Sequence, residues 1–272
     1  MNVLFIGDIV GRPGRRALKA ALPALIERSQ ADLVIANGEN AAAGFGITGP
    51  VADEIFAAGV DVITTGNHVW NKKEAEQLLA QEPRVLRPAN YPPAAPGCGA
   101  GVFAARNGLS VAVWNLCGRV FMNSIDCPFR EARKLVAELG DRARVVVVDM
   151  HAEATSEKVA MGWMLDGKVS AVIGTHTHVR TADAQVLPGG TAYITDVGMT
   201  GPRDSVLGVD TEAVIEHFVT RMPARFKPAG GPVIVSAAVV DIDEESGRAR
   251  SIRGLQEVVP DPGERSADEE HN

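Results

Sequence analysis

The chain is 272 residues long, 46% hydrophobic and 22% charged, with a formal net charge of −7. That is enough apolar side chain to bury the core of one large α/β domain or two small ones, with the charge content of a soluble globular protein. The acidic balance and the lack of a lysine- or arginine-rich block exclude an extended nucleic-acid surface, though not a pocket for one nucleotide.

No apolar run approaches the ~20 residues that span a bilayer, so no membrane partner is expected. The N-terminus lacks the basic start and cleavage site of a secretory signal and reads directly as a strand. Cys98, Cys117 and Cys127 show no Cys-x-x-Cys spacing, and an odd number of reduced thiols fits a cytoplasmic protein.

Residues 3–7 form a short apolar run ending in Gly7-Asp8, which predicts a first strand. A helix follows over residues 15–29, with Leu18, Leu22, Leu25 and Ile26 on one stripe. Asp8 then stands at the carboxyl end of a strand, where open α/β sheets place ligand sites; the alternative is a turn or capping aspartate. A second strand, residues 32–36, runs into Asn37-Gly38-Glu39-Asn40. The glycine-rich loop at 43–46 then leads to a helix starting near Thr48 to Pro50. A third strand, residues 61–65, ends in Gly66-Asn67-His68. Three successive strand–helix units thus close on glycine followed by carboxylate, amide or imidazole. In a parallel sheet all three ends lie on one edge, and independent turns would not repeat that chemistry.

Residues 83–101 carry Pro88, Pro92, Pro93 and Pro96 and read as a long surface crossing. Residues 111–115 read as a strand, and residues 126–139 as a helix with Phe129, Ala132, Leu135, Val136 and Leu139 at helical spacing. Residues 144–148 are the most β-branched run and lead into His151, again a histidine just past a strand end. After a helix over residues 156–165, an apolar strand ends at Gly174 and is followed by His176 and His178, one threonine apart. That spacing lets both imidazoles reach one point or two neighbouring ones, and imidazole is a common ligand for zinc, iron, copper and nickel. Residues 192–196 read as a strand, 197–201 as a loop and 211–220 as a helix. Two β-rich runs, 233–243 and 250–259, read as a hairpin. Residues 260–272 have the polar, acidic composition of a disordered tail, and residues 1–259, with no repeat and no linker, are expected to fold as one domain.

The collected candidates are Asp8, Glu39, Asn40, Asn67, His151, His176 and His178, all oxygen or nitrogen donors with no thiolate. That set exceeds one tetrahedral zinc and suits two borderline ions such as manganese, iron or zinc. Two ions ~3.5–4 Å apart can share a bridging carboxylate and hydroxide and support in-line attack at phosphorus. Asp8 and Glu39 leave two divalent ions electropositive, which fits a phosphate ester and does not separate diester from monoester.

Gly7-Asp8, Gly38-Glu39-Asn40, Gly66-Asn67-His68, His151 and Gly174-Thr175-His176-Thr177-His178 resemble, in that order, the motifs of the calcineurin-like metallophosphoesterases. The resemblance runs from residue 3 to about residue 200. Two departures stand out: Val10 replaces the usual histidine two residues after the first aspartate, and Glu39 replaces the usual bridging aspartate. With the loop from Asp196 to Thr200, these features are similar to the YmdB-like bacterial branch of 2′,3′-cyclic nucleotide phosphodiesterases.

The resemblance implies an α/β fold, a four-layer α-β-β-α sandwich, and two divalent or trivalent ions, iron or manganese ahead of zinc. Glu39 would bridge them, with Asp8, Asn40 and His178 completing one site and Asn67, His151 and His176 the other. A metal-bridging hydroxide would be the nucleophile, and His68 the general acid that protonates the leaving ribose oxygen. Val10 argues against ordinary phosphoprotein phosphatase activity. The alternatives are a phosphomonoesterase or nucleotidase on the same metals, or a metal-stabilised regulatory binding protein; His68 favours an enzyme. A homo-oligomer is compatible with the chain. His217, His271, Arg12, Arg15, Arg119 and Arg203 are expected to be structural, capping or surface groups, and Cys117 and Cys127 buried thiols. The loop at 43–46 reads either as the wall of a nucleotide pocket or as a tight crossing, and Phe45 is not assigned to the base.

Overall fold

A computed structural model describes residues 1–139 and 142–259; the expected tail at 260–272 lies outside them. The chain opens with β1 (Asn2–Ile6), β2 (Asp8–Ile9), α1 (Gly11–Ser29), β3 (Leu33–Asn37), α2 (Gly49–Ala57), β4 (Val62–Thr64), α3 (Ala75–Gln81) and β5 (Val85–Leu86). It continues through β6 (Ala100–Ala104), β7 (Ser110–Cys117), α4 (Pro128–Leu139), β8 (Val145–His151), α5 (Thr155–Leu165), β9 (Ala171–Thr175), β10 (Gln185–Val186) and β11 (Ala192–Ile194). It closes with β12 (Met199–Pro202), α6 (Thr211–Thr220), β13 (Val233–Ile242) and β14 (Ala249–Val259).

Two sheets result. In the first, β1, β3, β4 and β5 run parallel, and β13 returns antiparallel beside β1 with Phe5 opposite Ala238. In the second, β7, β8, β9 and β11 run parallel between antiparallel edges β6 and β10. Parallel strands bury both faces, and alternation decides which core each side chain joins. Val3, Phe5, Val111 and Val113 fill the layer between the sheets. Leu4 and Ile6 face α1, where Leu18, Leu22 and Leu25 meet them. Trp114, Val146 and Val148 pack with Ala132, Leu135, Met161 and Leu165 of α4 and α5. Three apolar layers therefore separate helix, sheet, sheet and helix, the expected four-layer sandwich.

Local differences from the sequence reading have physical causes. Helix α1 begins at Gly11 rather than residue 15; Gly11 adopts a left-handed φ of 58° and its N–H binds the Asn40 carbonyl. The crossing at 83–101 contains β5 and the start of β6, and α3 precedes it. Its backbone is held by side chains: Arg87 donates to the carbonyls of Pro88, Ala95 and Pro96, and Asn90 to those of Cys117 and Asp126. The loop expected at 197–201 is largely β12, which exists because β2 and β13 flank it. Cys117 is buried as expected, whereas Cys127 is half-buried. The hairpin is β13–β14.

Candidate metal centre

The carboxyl ends of β1, β3 and β4 meet those of β8 and β9, and this shared edge gathers the seven candidate donors. His151 Nε2 lies 3.0 Å from Glu39 Oε1, 3.0 Å from Asn67 Oδ1 and 3.0 Å from His176 Nδ1. One imidazole nitrogen carries at most one proton and cannot serve three such neighbours, whereas a cation among them would. Glu39, His151 and His176 alone place donor atoms within 4.8 Å of one another. Beside them, Asp8 Oδ1 is 3.8 Å from His178 Nε2, and Asn40 Nδ2 is 3.1 Å from the same nitrogen and 3.3 Å from Glu39 Oε1. Asp8 Oδ1 and Asn40 Oδ1 are buried with no hydrogen-bond partner. An orphaned buried acceptor costs about 1–3 kcal/mol, and a cation at this point removes the cost for both. The residues therefore fit a metal centre.

Each histidine is oriented through its other nitrogen. His178 Nδ1 donates to the Leu207 carbonyl at 2.9 Å, and His176 Nε2 faces Glu153 Oε2 at 3.1 Å. His151 Nδ1 is 2.9 Å from Thr175 Oγ1, whose own proton goes to Asp149 Oδ1 at 2.6 Å. With an acceptor on one nitrogen, the lone pair of the other is left for the cluster, as in metal-binding histidines generally. Asn37 Nδ2, 3.1 Å from Asp149 Oδ2, ties the first sheet to this relay.

The electrostatics agree. Burial disfavours a charged His151, but Glu39, Asp8 and Asp149 outweigh burial and raise its pKa. Burial would raise Glu39, but His151 holds it below the usual carboxylate range, while Asp8 is raised chiefly by burial. Burial and the neighbouring His151 charge push His176 down, so it stays neutral with an available lone pair.

The loop that carries the two histidines is strained and braced. His176 and His178 adopt positive φ of 99° and 64°, unfavourable for side-chain-bearing residues. Between them, the Thr177 N–H and hydroxyl both donate to Asp196 Oδ2, at 3.0 and 2.8 Å. That oxygen also accepts from Lys158 Nζ at 2.7 Å in an ion pair buried on both sides. Removing Lys158 would leave a buried carboxylate unpaired beneath the loop. Gly66 is needed on the opposite side: a Cβ there would lie 2.2 Å from the His151 ring and 2.4 Å from Glu39 Oε2.

His68 sits at the rim. Its N–H donates to Glu39 Oε2 at 3.0 Å, and Asn71 Nδ2 lies 3.1 Å from its Nδ1. With Asn71 donating, Nδ1 is an acceptor and the proton resides on Nε2. Burial lowers the His68 pKa, with the Glu39 charge opposing it. The cluster and His68 open onto a cleft of about 260 Å³, which also takes in Phe45, Leu207 and Phe226.

Sequence reasoning passed over Asn37, Asn71, Asp149, Glu153, Lys158 and Thr175. The Asp149-x-His151 alternation puts both side chains on one face of β8 and would have found Asp149; nothing local marks Lys158. His217 is structural, its Nδ1 2.7 Å from the Met222 carbonyl, and Arg15 pairs with Glu54. His271 lies outside the described residues.

A family model described as YmdB-like protein matches residues 4–255. A Bacillus subtilis protein named 2′,3′-cyclic-nucleotide 2′-phosphodiesterase is 48% identical over 255 residues, covering 94% of this chain and 96% of that protein. Among solved structures, a hypothetical protein from Thermus thermophilus is 45% identical with a TM-score of 0.89, over 96% of this chain and 100% of that one. A phosphatase from Mycoplasma pneumoniae is 32% identical with a TM-score of 0.89, over 96% and 95%. A calcineurin-like phosphoesterase from Bacillus subtilis, at 13% identity and a TM-score of 0.54 over 94% of this chain and 90% of that one, shares the fold.

Proposed function

The chain belongs to the YmdB-like family, and from that premise we propose that it hydrolyses nucleoside 2′,3′-cyclic phosphates at a dinuclear metal centre. The observation that carries this reading is the convergence on His151 Nε2, with the orphaned oxygens of Asp8 and Asn40 beside it. In this reading Glu39 would contribute to both ions, Asp8, Asn40 and His178 would hold one, and Asn67, His151 and His176 would hold the other. The oxygen and nitrogen donors suit manganese, iron or zinc, and the family resemblance favours iron or manganese. When bound, the metals supply Lewis-acid charge neutralisation and an activated water.

The chain's own groups set the rest. Thr175, Glu153 and the Leu207 carbonyl keep the imidazoles turned toward the cluster. His68, in its protonated form, would give a proton from Nε2 to the departing ribose oxygen and be left as the neutral ring. The name of the Bacillus relative points to the 2′ ester as the bond cleaved. Water oxygen bonds to phosphorus, the P–O2′ bond breaks with its electron pair on O2′, O2′ takes a proton, and a nucleoside 3′-monophosphate remains. The three thiols, reduced, suit a cytoplasmic setting, and no described helix is long and apolar enough to cross a membrane.

The test is hydrolysis of 2′,3′-cyclic AMP beside 3′,5′-cyclic AMP and AMP, with added manganese and again after chelation. Selective, chelator-sensitive ring opening supports the reading, while preferential release of phosphate from AMP would replace it with a phosphomonoesterase. On a ring-opening enzyme, His68→Ala is expected to cut kcat by roughly 10²–10⁴-fold, the range of general acid catalysis, with metal content unchanged. Loss of metal in that variant would make His68 a ligand and remove the acid assignment.

A further inference from the structure

The cleft at the metal centre is lined by two kinds of side chain. The donor cluster with His68, Glu153 and Thr177 is polar, whereas Val10, Phe45, Leu207, Val209, Phe226 and Pro228 are apolar, with Lys227 between the last two in sequence. A phosphate and ribose fill polar space. The flat, weakly polar part of a nucleotide is its base, and aromatic rings are the natural surface for it.

Resting on the proposed cyclic-nucleotide reading, we infer that the apolar lining of this cleft forms a nucleobase site, with Phe45 and Phe226 as its stacking residues. The phenylalanines are far apart in sequence, and neither belongs to a packed core. Both are half-buried and line the cleft that holds the donor cluster. Phe45 stands edge-on to His68, with ring centroids 5.0 Å apart, and so links the base site to the residue that faces the leaving oxygen. Phe226 stands edge-on to His217 at 5.5 Å, and His217 is in turn fixed by its bond to the Met222 carbonyl. The segment carrying Phe226 has no regular structure, yet it is tied twice just after that residue: Asp210 N–H donates to the Lys227 carbonyl at 3.0 Å, and Ala229 N–H to the Gly208 carbonyl at 2.9 Å. Both rings are therefore held before any ligand arrives, which reduces the ordering cost of binding. The loop at 43–46 is a pocket wall rather than only a tight crossing.

The experiment compares kcat/KM on 2′,3′-cyclic AMP and on glycerol 1,2-cyclic phosphate, which carries the cyclic ester without a base, in metal-loaded full-length enzyme. In Phe226→Ala the ratio of the two is expected to fall roughly tenfold, the scale of one stacked base, chiefly through KM for the nucleotide. Phe45→Ala should lower the same ratio, and Phe226→Tyr should retain it. A ratio unchanged in Phe226→Ala, or lowered as far in Phe226→Tyr, overturns the inference. Failure of the unaltered enzyme to open any 2′,3′-cyclic ester while it hydrolyses another phosphate ester would instead overturn the underlying reading, and the base site with it.

Discussion

At the scale of single residues, the groups that choose the chemistry are held by groups that never touch a ligand. Thr175 is the clearest case: it takes the His151 Nδ1–H and passes its own proton to buried Asp149. Thr175→Val keeps the volume but removes both bonds. Outer partners of metal-binding histidines are typically worth about 10–100-fold in metal affinity, so a loss of that size is expected on titration against a competing chelator, with Thr175→Ser close to the unaltered protein. Equal affinity in Thr175→Val would mean that Glu39 and His176 orient the His151 ring without help. The seven candidate donors could be picked out in the sequence because each stands at or near a strand end, with Asp8, Glu39 and Asn67 directly after a glycine. Their supports were not, since Thr175, Glu153 and Lys158 look like any polar residue until the two sheets meet.

At the scale of elements, glycine marks where two strands or a strand and a ligand approach too closely for a side chain. The two kinds of approach predict different failures. A Cβ at Gly174 would lie 1.7 Å from the Thr195 carbonyl oxygen, which is backbone in the neighbouring strand's path and cannot turn aside. Gly174→Ala should therefore destabilise the fold by at least about 2 kcal/mol, the scale of overpacking in a close-packed interior, seen as a lower Tm. At Gly66 the obstacle is the His151 ring, so Gly66→Ala should keep its secondary structure and lose metal. A Gly66→Ala protein that retains full metal content would show that His151 can shift without leaving the cluster. Long periodic elements such as α1, α4 and β8 declared themselves through their apolar spacing. Two-residue β5 and glycine- and proline-containing β12 did not, because their partners, not their composition, make them strands.

At the scale of the whole molecule, the metal centre is expected to couple to stability, because it joins the ends of both sheets. Cys117 offers a readout: it is buried, and it pairs in register with His151 across β7 and β8. Burial, reinforced by the charges of Glu39, Asp149 and Glu157, pushes its thiol well above the ordinary value. The sign follows directly. In mildly alkaline solution an ordinary thiol forms reactive thiolate, but Cys117 stays protonated and shielded until the fold opens. Alkylation should therefore label exposed Cys98 at once and Cys117 only slowly. Chelation should speed Cys117 labelling, since ions that bind the folded chain alone hold it closed. Labelling of Cys117 as fast as Cys98 in the native protein would contradict its burial. The amino-acid order by itself determined the alternation of strands and helices, the ligand chemistry at the strand ends and the family resemblance, because these depend on spacing along one chain. Tertiary structure alone decided which nitrogen of each histidine is free, which buried charges brace the strained histidine loop, and which distant phenylalanines line one cleft. Those properties depend on distances across the two sheets, and no local pattern in the chain carries them.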